Sequence, residues 1–265
     1  MLAAAGWCEL TSFEKFSRSN VVSFVSTQLQ GNYQSLDLFF LIFIMAKTIR
    51  VWDLPTRLFH WALVACVIAL VVTGNVGGNA MTWHFRAGYC VLTLLLFRLV
   101  WGVVGGHWSR FASFIYSPAS VLNYLRGNPK PEHLVGHNPL GAFSVFGLLA
   151  FLLLQVSSGL FSDDEIAASG PLTRFVSGDL VSLLTGYHAE VGKVIVVVLV
   201  LLHIGAIIFY RVKKNENLVT PMLLGDKQVA VDVPASRDTI GTRVAAIAIL
   251  VVCAFGVRYL VNLGA

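Results

Sequence analysis

Four of the seven histidines in this 265-residue chain, His60, His84, His188 and His203, fall in or at the ends of long apolar runs. The other three, His107, His133 and His137, fall in a basic stretch between two such runs. An imidazole is costly in an apolar span, so it needs a partner or a task. It can hydrogen-bond across a helix interface, relay protons, or give a ring nitrogen to a metal. Depth sorts the four into pairs. His60 and His203 lie toward the Lys- and Arg-rich ends of their spans, while His84 and His188 open spans at the opposite end. His188 and His203 stand 15 residues apart on one run. On a helix that is about 22 Å of rise and about 60° past four full turns, so both rings can address one side at two depths.

The surrounding residues narrow the chemistry. No third or fourth protein ligand accompanies either pair, which argues against zinc, and no Asp or Glu lies deep in a span to support a proton relay. Two haems, one at each depth and each held by two axial histidines, use this arrangement, with a second-nitrogen acceptor fixing each imidazole. Cys8, Cys66, Cys90 and Cys253 form no C-x-x-C or C-x-x-C-H motif, so neither covalent haem attachment nor an iron–sulfur site is encoded. Gly88 and Gly192 follow His84 and His188 by four residues, leaving room one turn away for a porphyrin face. Close helix packing uses the same spacing. Arg57, three before His60, and Arg98 are candidate partners for the inner haem's propionates, and Arg86 for the outer. Lys193 is a weaker candidate. Topological placement and snorkelling are the alternatives for Arg57, Arg86 and Lys193.

Stepping these residues across two depths requires membrane-spanning helices. Hydrophobic residues make up 56% of the chain, charged ones only 12%, and the mean hydropathy is +0.74. A soluble domain of this size carries about 25% charged residues, so lipid is the expected solvent. Five runs are long enough to span: residues 58–76, 85–104, 140–161, 188–210 and 244–263. The expected fold is an all-α membrane protein, a four-helix transmembrane haem-binding bundle plus a fifth, C-terminal transmembrane helix. The expected divisions are an extension over 1–46, a core over 47–211, a cytoplasmic loop over 212–243 and the last helix over 244–265. Residues 1–44 have no clear period, and Met45 is the expected working start.

The net charge of +5 does not mark a nucleic-acid partner, because the cations sit in short loops. Lys47, Arg50, Arg57, Arg110, Arg126, Lys130, Arg211, Lys213, Lys214, Lys227, Arg237 and Arg243 share one side, against Arg174 on the other. That asymmetry predicts a cytoplasmic N-terminus in a bacterial inner membrane. The outer loop over 162–187 carries Asp163, Asp164, Glu165 and Asp179 against Arg174, a patch that could steer a basic soluble partner.

The stretch Val51-Trp-Asp-Leu-Pro-Thr-Arg-Leu-Phe-His-Trp61 resembles the opening of bacterial cytochrome b561 proteins and of the b-type cytochrome subunits of nickel–iron hydrogenases. The likeness continues through His84-x-x-x-Gly88, Gly136-His-Asn-Pro-Leu-Gly141, and His188 with His203, covering roughly residues 47–211. The resemblance implies two haem b groups, with iron ligands that map onto His60, His84, His188 and His203. It also implies electron exchange between membrane quinone and a redox partner, a c-type cytochrome or a hydrogenase or dehydrogenase subunit. An electron-transfer subunit is the leading expectation. A stand-alone quinone-coupled oxidoreductase of a small oxidant such as superoxide is the alternative, and a haem-free transporter or scaffold stands further off.

Overall fold

A computed structural model describes residues 47–128, 130–164 and 168–264. The expected N-terminal extension, Cys8 and Glu165 lie outside the described residues.

Among the described residues, five helical rods are long and apolar enough to cross a membrane. They are α1 (Leu54–Val76), α2 (Met81–Val104, led by a 3-10 turn), α4 (Pro139–Gly159), the continuous rod Gly178–Lys213, and α8 (Ile240–Asn262). The short helix α3 (Pro118–Leu125) lies between α2 and α4. Local chemistry sets the starts. Asp53, Asn138 and Thr239 each accept a hydrogen bond from the backbone N–H three residues on, and prolines occupy the first turns of α1 and α4. Gly77, at φ +67°, ends α1.

Large apolar side chains such as Leu58, Val72, Val103, Leu202 and Phe255 face outward from these rods. That inverts a soluble surface and suits lipid, where every backbone polar group must be satisfied within the helix. Helix α2 is central. Its Val91, Leu95, Phe97 and Trp101 pack with Leu149, Leu152 and Val156 of α4, with Val196 of the rod, and with Ala246 and Val257 of α8. Lipid supplies little drive to bury apolar surface, so close dispersion contacts hold this assembly.

The structure departs from sequence expectation in two places. The rod containing His188 begins ten residues earlier than the apolar run suggested. Ser177 caps it by accepting from Leu180 N, and Asp179 sits favourably in its first turn. The rod is built of α5 (Gly178–Gly186), a π-helical turn (Tyr187–Gly192) and α6 (Lys193–Lys213). His188 therefore lies inside a helix rather than opening one, and the preceding connection is shorter than expected.

The second departure is a two-stranded antiparallel ribbon in a chain read as all-helical. Strand β1 (Lys47–Arg50) pairs with β2 (Asp226–Val229), Arg50 opposite Asp226, and their side chains form an ion pair at 2.8 Å. Four-residue strands leave too little period to read in sequence. Helix α7 (Val219–Leu224), ended by Gly225 at φ +94°, precedes β2. Residues expected to be a separate loop thus form a strap over the start of α1. Arg57 Nη1 donates to the Leu223 carbonyl at 2.6 Å, and Ser236 Oγ to that of Val51 at 2.7 Å.

Candidate functional site

The bundle brings the four span histidines together as two pairs. At the end where α1 begins, here the basic end, the His60 and His203 ring centroids lie 6.5 Å apart with planes at 53°. At the far end, the His84 and His188 centroids lie 6.1 Å apart with planes at 87°. A metal–imidazole bond is about 2 Å and the ring centre lies about 1 Å behind the nitrogen, so two rings on one metal ion put their centroids about 6 Å apart. Both separations fit one ion between two rings. Among the described residues, no group of three or more His, Cys, Asp or Glu side chains gathers to hold a metal, so each pair stands as a pair.

Ring orientation differs between the ends. His84 Nδ1 lies 3.1 Å from the Leu70 carbonyl, and His188 Nδ1 lies 2.8 Å from that of Gln155. A carbonyl only accepts, so each Nδ1 carries the proton and each Nε2 keeps a lone pair for a metal. Thr73 and Ser158 hydroxyls add contacts at 3.3 Å. Among the described residues, His203 Nδ1 meets only the Ser144 hydroxyl, at 3.5 Å, and buried His60 Nδ1 has no hydrogen-bond partner.

A cavity between α1, α2, α4 and the rod is lined by His84 and His188. Glycines shape it. A Cβ on Gly74 would stand 3.0 Å from His84 Cε1, and one on Gly159 would stand 2.7 Å from His188 Cε1. At Gly88 nothing lies nearer than Leu70 Cδ2 at 4.0 Å, which leaves the open room expected beside a flat ligand. Gly192 differs from expectation: the room it leaves is filled by the Gln155 carboxamide and the Tyr187 ring. Lys193 lines the cavity, whereas Arg86 lies over the Trp83 ring at 4.9 Å.

At the basic end, Arg98 is 3% exposed, donates to the Ser109 carbonyl at 3.0 Å and lies 4.7 Å over the Phe111 ring. Arg57 reaches the strap, with its Nη2 4.0 Å from Asp238, while its buried Nε has no hydrogen-bond partner among the described residues. Two further residues matter here that sequence reasoning left without a role. Asp53 is fully buried and accepts from Thr56 N (2.8 Å), Ser109 Oγ (2.8 Å), Gly106 N (3.0 Å) and Trp101 Nε1 (3.2 Å). One carboxylate thereby ties the start of α1 to the end of α2 and the connection beyond it. Its signal was the Asp-Leu-Pro cap preceding Arg57 and His60.

His137 is the other. Its ring packs between Trp52 (4.6 Å) and Phe114 (4.5 Å), and its buried Nδ1 has no hydrogen-bond partner among the described residues. Burial first, then Arg98, His203 and His60, push its pKa down to about 3, so it is neutral. Its signal was its place directly before the Asn138-Pro139 helix start.

Orphaned buried polar atoms cost about 1–3 kcal/mol each. At the basic end they include Arg57 Nε, His60 Nδ1 and His137 Nδ1. A ligand that brings carboxylates to this end supplies acceptors for Arg57 Nε and for the neutral His137 ring in its Nδ1–H tautomer, and haem has two. Ring separations, the glycine-walled cavity and these orphaned atoms all fit haem.

Residues 51–225 match a family described as prokaryotic cytochrome b561. Relatives carry the name "Probable Ni/Fe-hydrogenase B-type cytochrome subunit". The one from Bradyrhizobium diazoefficiens is 26% identical over 217 residues, covering 68% of this chain and 86% of that protein. One from Cupriavidus necator is 27% identical over 214 residues with the same coverage. One from Azotobacter vinelandii is 31% identical over 124 residues, 37% of this chain and 52% of that protein.

Proposed function

The chain belongs to the prokaryotic cytochrome b561 family, multi-pass membrane proteins that carry electrons on haem b, and from that premise we propose a two-haem electron carrier joining a hydrogenase to the quinone pool. The observation that supports it best is the repetition of one motif: two facing imidazoles about 6 Å apart, once at each end of the same rod. His60 and His203 hold one haem, and His84 and His188 the other. Each bound haem supplies a one-electron Fe(III)/Fe(II) couple.

The chain's own residues bind, orient and shield. Leu70 and Gln155 carbonyls fix the far-end imidazoles through Nδ1. Gly88 leaves space for the macrocycle, and Arg57 and Arg98 offer positive charge to carboxylates at the basic end. The Lys and Arg asymmetry sets the basic end in the cytoplasm and the far end outside. The names of the relatives favour a hydrogenase subunit over a c-type cytochrome as the partner.

Haem counting on the purified protein tests the reading. The expected content is two b haems per chain. His84→Ala or His188→Ala should remove one of them, and His60→Ala or His203→Ala the other. A variant lacking all four histidines that kept its haem would overturn the assignment. Co-purification of a hydrogenase, and hydrogen-dependent reduction of the haems, tests the partner.

A further inference from the structure

The rod that carries His188 and His203 is not uniform. Tyr187–Gly192 is a π-helical turn with α-helix on both sides. Such turns are rare and take up an extra residue within an α-helix. An unbroken α-helix would place His203 about 60° past four turns from His188. The extra residue lowers that rotation by up to one residue's worth, about 100°, which carries the offset from about +60° back through zero to no further than about −40°. The turn is thus what sets the direction of His188 relative to His203.

A π turn is intrinsically unfavourable, so something nearby must hold it. Gln155, on α4, does so twice. Its backbone carbonyl accepts from His188 Nδ1 at 2.8 Å, and its side-chain Nε2 donates to the His188 carbonyl at 2.9 Å. One residue therefore grips both the ring and the main chain of the same histidine. A carbonyl has two lone pairs, so His188 O can accept this bond alongside a helical one. Gly192 completes the arrangement, because a Cβ there would collide with Gln155 Oε1 and lie 2.8 Å from the Tyr187 ring. The Gln155 amide lies where only glycine admits it.

We infer that Gln155, gripping the π turn through the gap left by Gly192, is the positioning residue that aims the His188 imidazole and leaves its Nε2 for the iron. This rests on the proposed far-end haem site and adds the device that orients one of its ligands. A looser grip weakens the Nδ1–H···O bond, makes the imidazole a poorer donor to ferric iron, and so raises the midpoint potential of that haem.

The test uses the full chain with haem bound. Gln155→Leu, Gln155→Ala, Gly192→Ala, the Gln155→Ala/Gly192→Ala double variant and His188→Ala are compared by low-temperature EPR of the ferric protein and by redox titration. Gln155→Leu should lower the far-end low-spin signal by at least half or shift it, and raise that haem's midpoint potential. The basic-end signal should not move. Gly192→Ala should do the same, and the double variant should lose less than the sum of its two singles, since removing the amide relieves the methyl's clash with Gln155 and leaves only that with the Tyr187 ring. Additive losses in the double variant, or equal disturbance of both haems, would overturn the inference. If Gln155→Leu and Gly192→Ala match the unaltered chain while His188→Ala loses the far-end haem, the inference fails and the site assignment stands. Retention of both haems by His188→Ala removes the assignment itself. Should Gln155→Leu fail to accumulate, Gly192→Ala, which leaves α4 unchanged, carries the same readouts.

Discussion

The two ends of the bundle hold similar pairs of imidazoles by different means. At the far end the rings themselves are anchored, each Nδ1 donating to a carbonyl on a neighbouring helix. At the basic end His60 Nδ1 has no such bond, and His203 has a marginal one. There the helices are anchored instead. Asp53 gathers four donors, Arg98 clamps the Ser109 carbonyl, and the strap binds Arg57. Orientation can thus be stored in the ligand's own second nitrogen or in the scaffold that carries the ligand. The second choice leaves ring nitrogens uncommitted.

The largest expected effect follows from removing the scaffold's keystone. Asp53→Ala strands Trp101 Nε1, Gly106 N, Ser109 Oγ and Thr56 N, all buried around one carboxylate. Losing one partner of a buried charged network costs about 3–5 kcal/mol. The basic-end haem should be lost while the far-end haem survives, as read by haem content and by a fall in thermal unfolding temperature. Equal loss at both ends would show that Asp53 supports the whole bundle, and the contrast would collapse.

At the far end, Gly159→Ala puts a methyl 2.7 Å from His188 Cε1. Overpacking of this kind costs about 1–3 kcal/mol. The far-end haem should fall by several-fold in occupancy, with the basic-end haem intact. Gly205→Ala, with nothing within 4 Å of the added Cβ, is the matched control and should change neither.

The contrast between ends also marks what sequence alone could carry. Spans and histidine depth were legible because a polar ring in an apolar run stands out by its cost. Spacing could not reveal the π turn, since Tyr187–Gly192 contains no proline and its register depends on Gln155 from another helix. Gly192 was read as porphyrin space for the same reason. His137 was placed by sequence only in a basic stretch between two apolar runs, because Trp52 and Phe114, which close on it, are distant in sequence. Asp53 stood in the sequence only within the stretch leading to His60; it caps α1, but three of its donors come from α2 and the turn after it.

A smaller effect tests the strap. The side chain of Asp238 is 6% exposed and faces Arg50, Arg57 and Arg243. Desolvation opposes its ionisation, but the Arg243 hydrogen bond, the Leu54 backbone N–H and the nearby arginines outweigh that and hold its pKa below the usual carboxylate value. A carboxylate depressed on folding stabilises fully above its unfolded pKa of about 3.9, and that contribution is lost as pH falls from there through the folded value. The unaltered protein should therefore lose thermal stability below about pH 4 more steeply than Asp238→Asn. Identical acid slopes in the two proteins would mean the strap does not depend on this charge.

The smallest expected effect sharpens the comparison most, because it touches only second-nitrogen contacts. Ser144 is the hydroxyl that meets His203 Nδ1, at 3.5 Å. Thr73 and Ser158 meet the far-end rings at 3.3 Å, but there the Leu70 and Gln155 carbonyls already hold Nδ1 at 3.1 and 2.8 Å. A neutral hydrogen bond contributes about 0.5–1.5 kcal/mol net, and one this long falls at or under the lower limit. Losing the far-end hydroxyls should therefore be silent, since a better acceptor remains, while losing Ser144 removes the contact His203 has. In redox titrations Ser144→Ala should raise the basic-end midpoint potential slightly, and the Thr73→Val/Ser158→Ala pair should leave the far-end potential where it was. Equal shifts at the two ends would show that the carbonyls do not dominate ring orientation, and the distinction between an anchored ligand and an anchored scaffold would have to be abandoned.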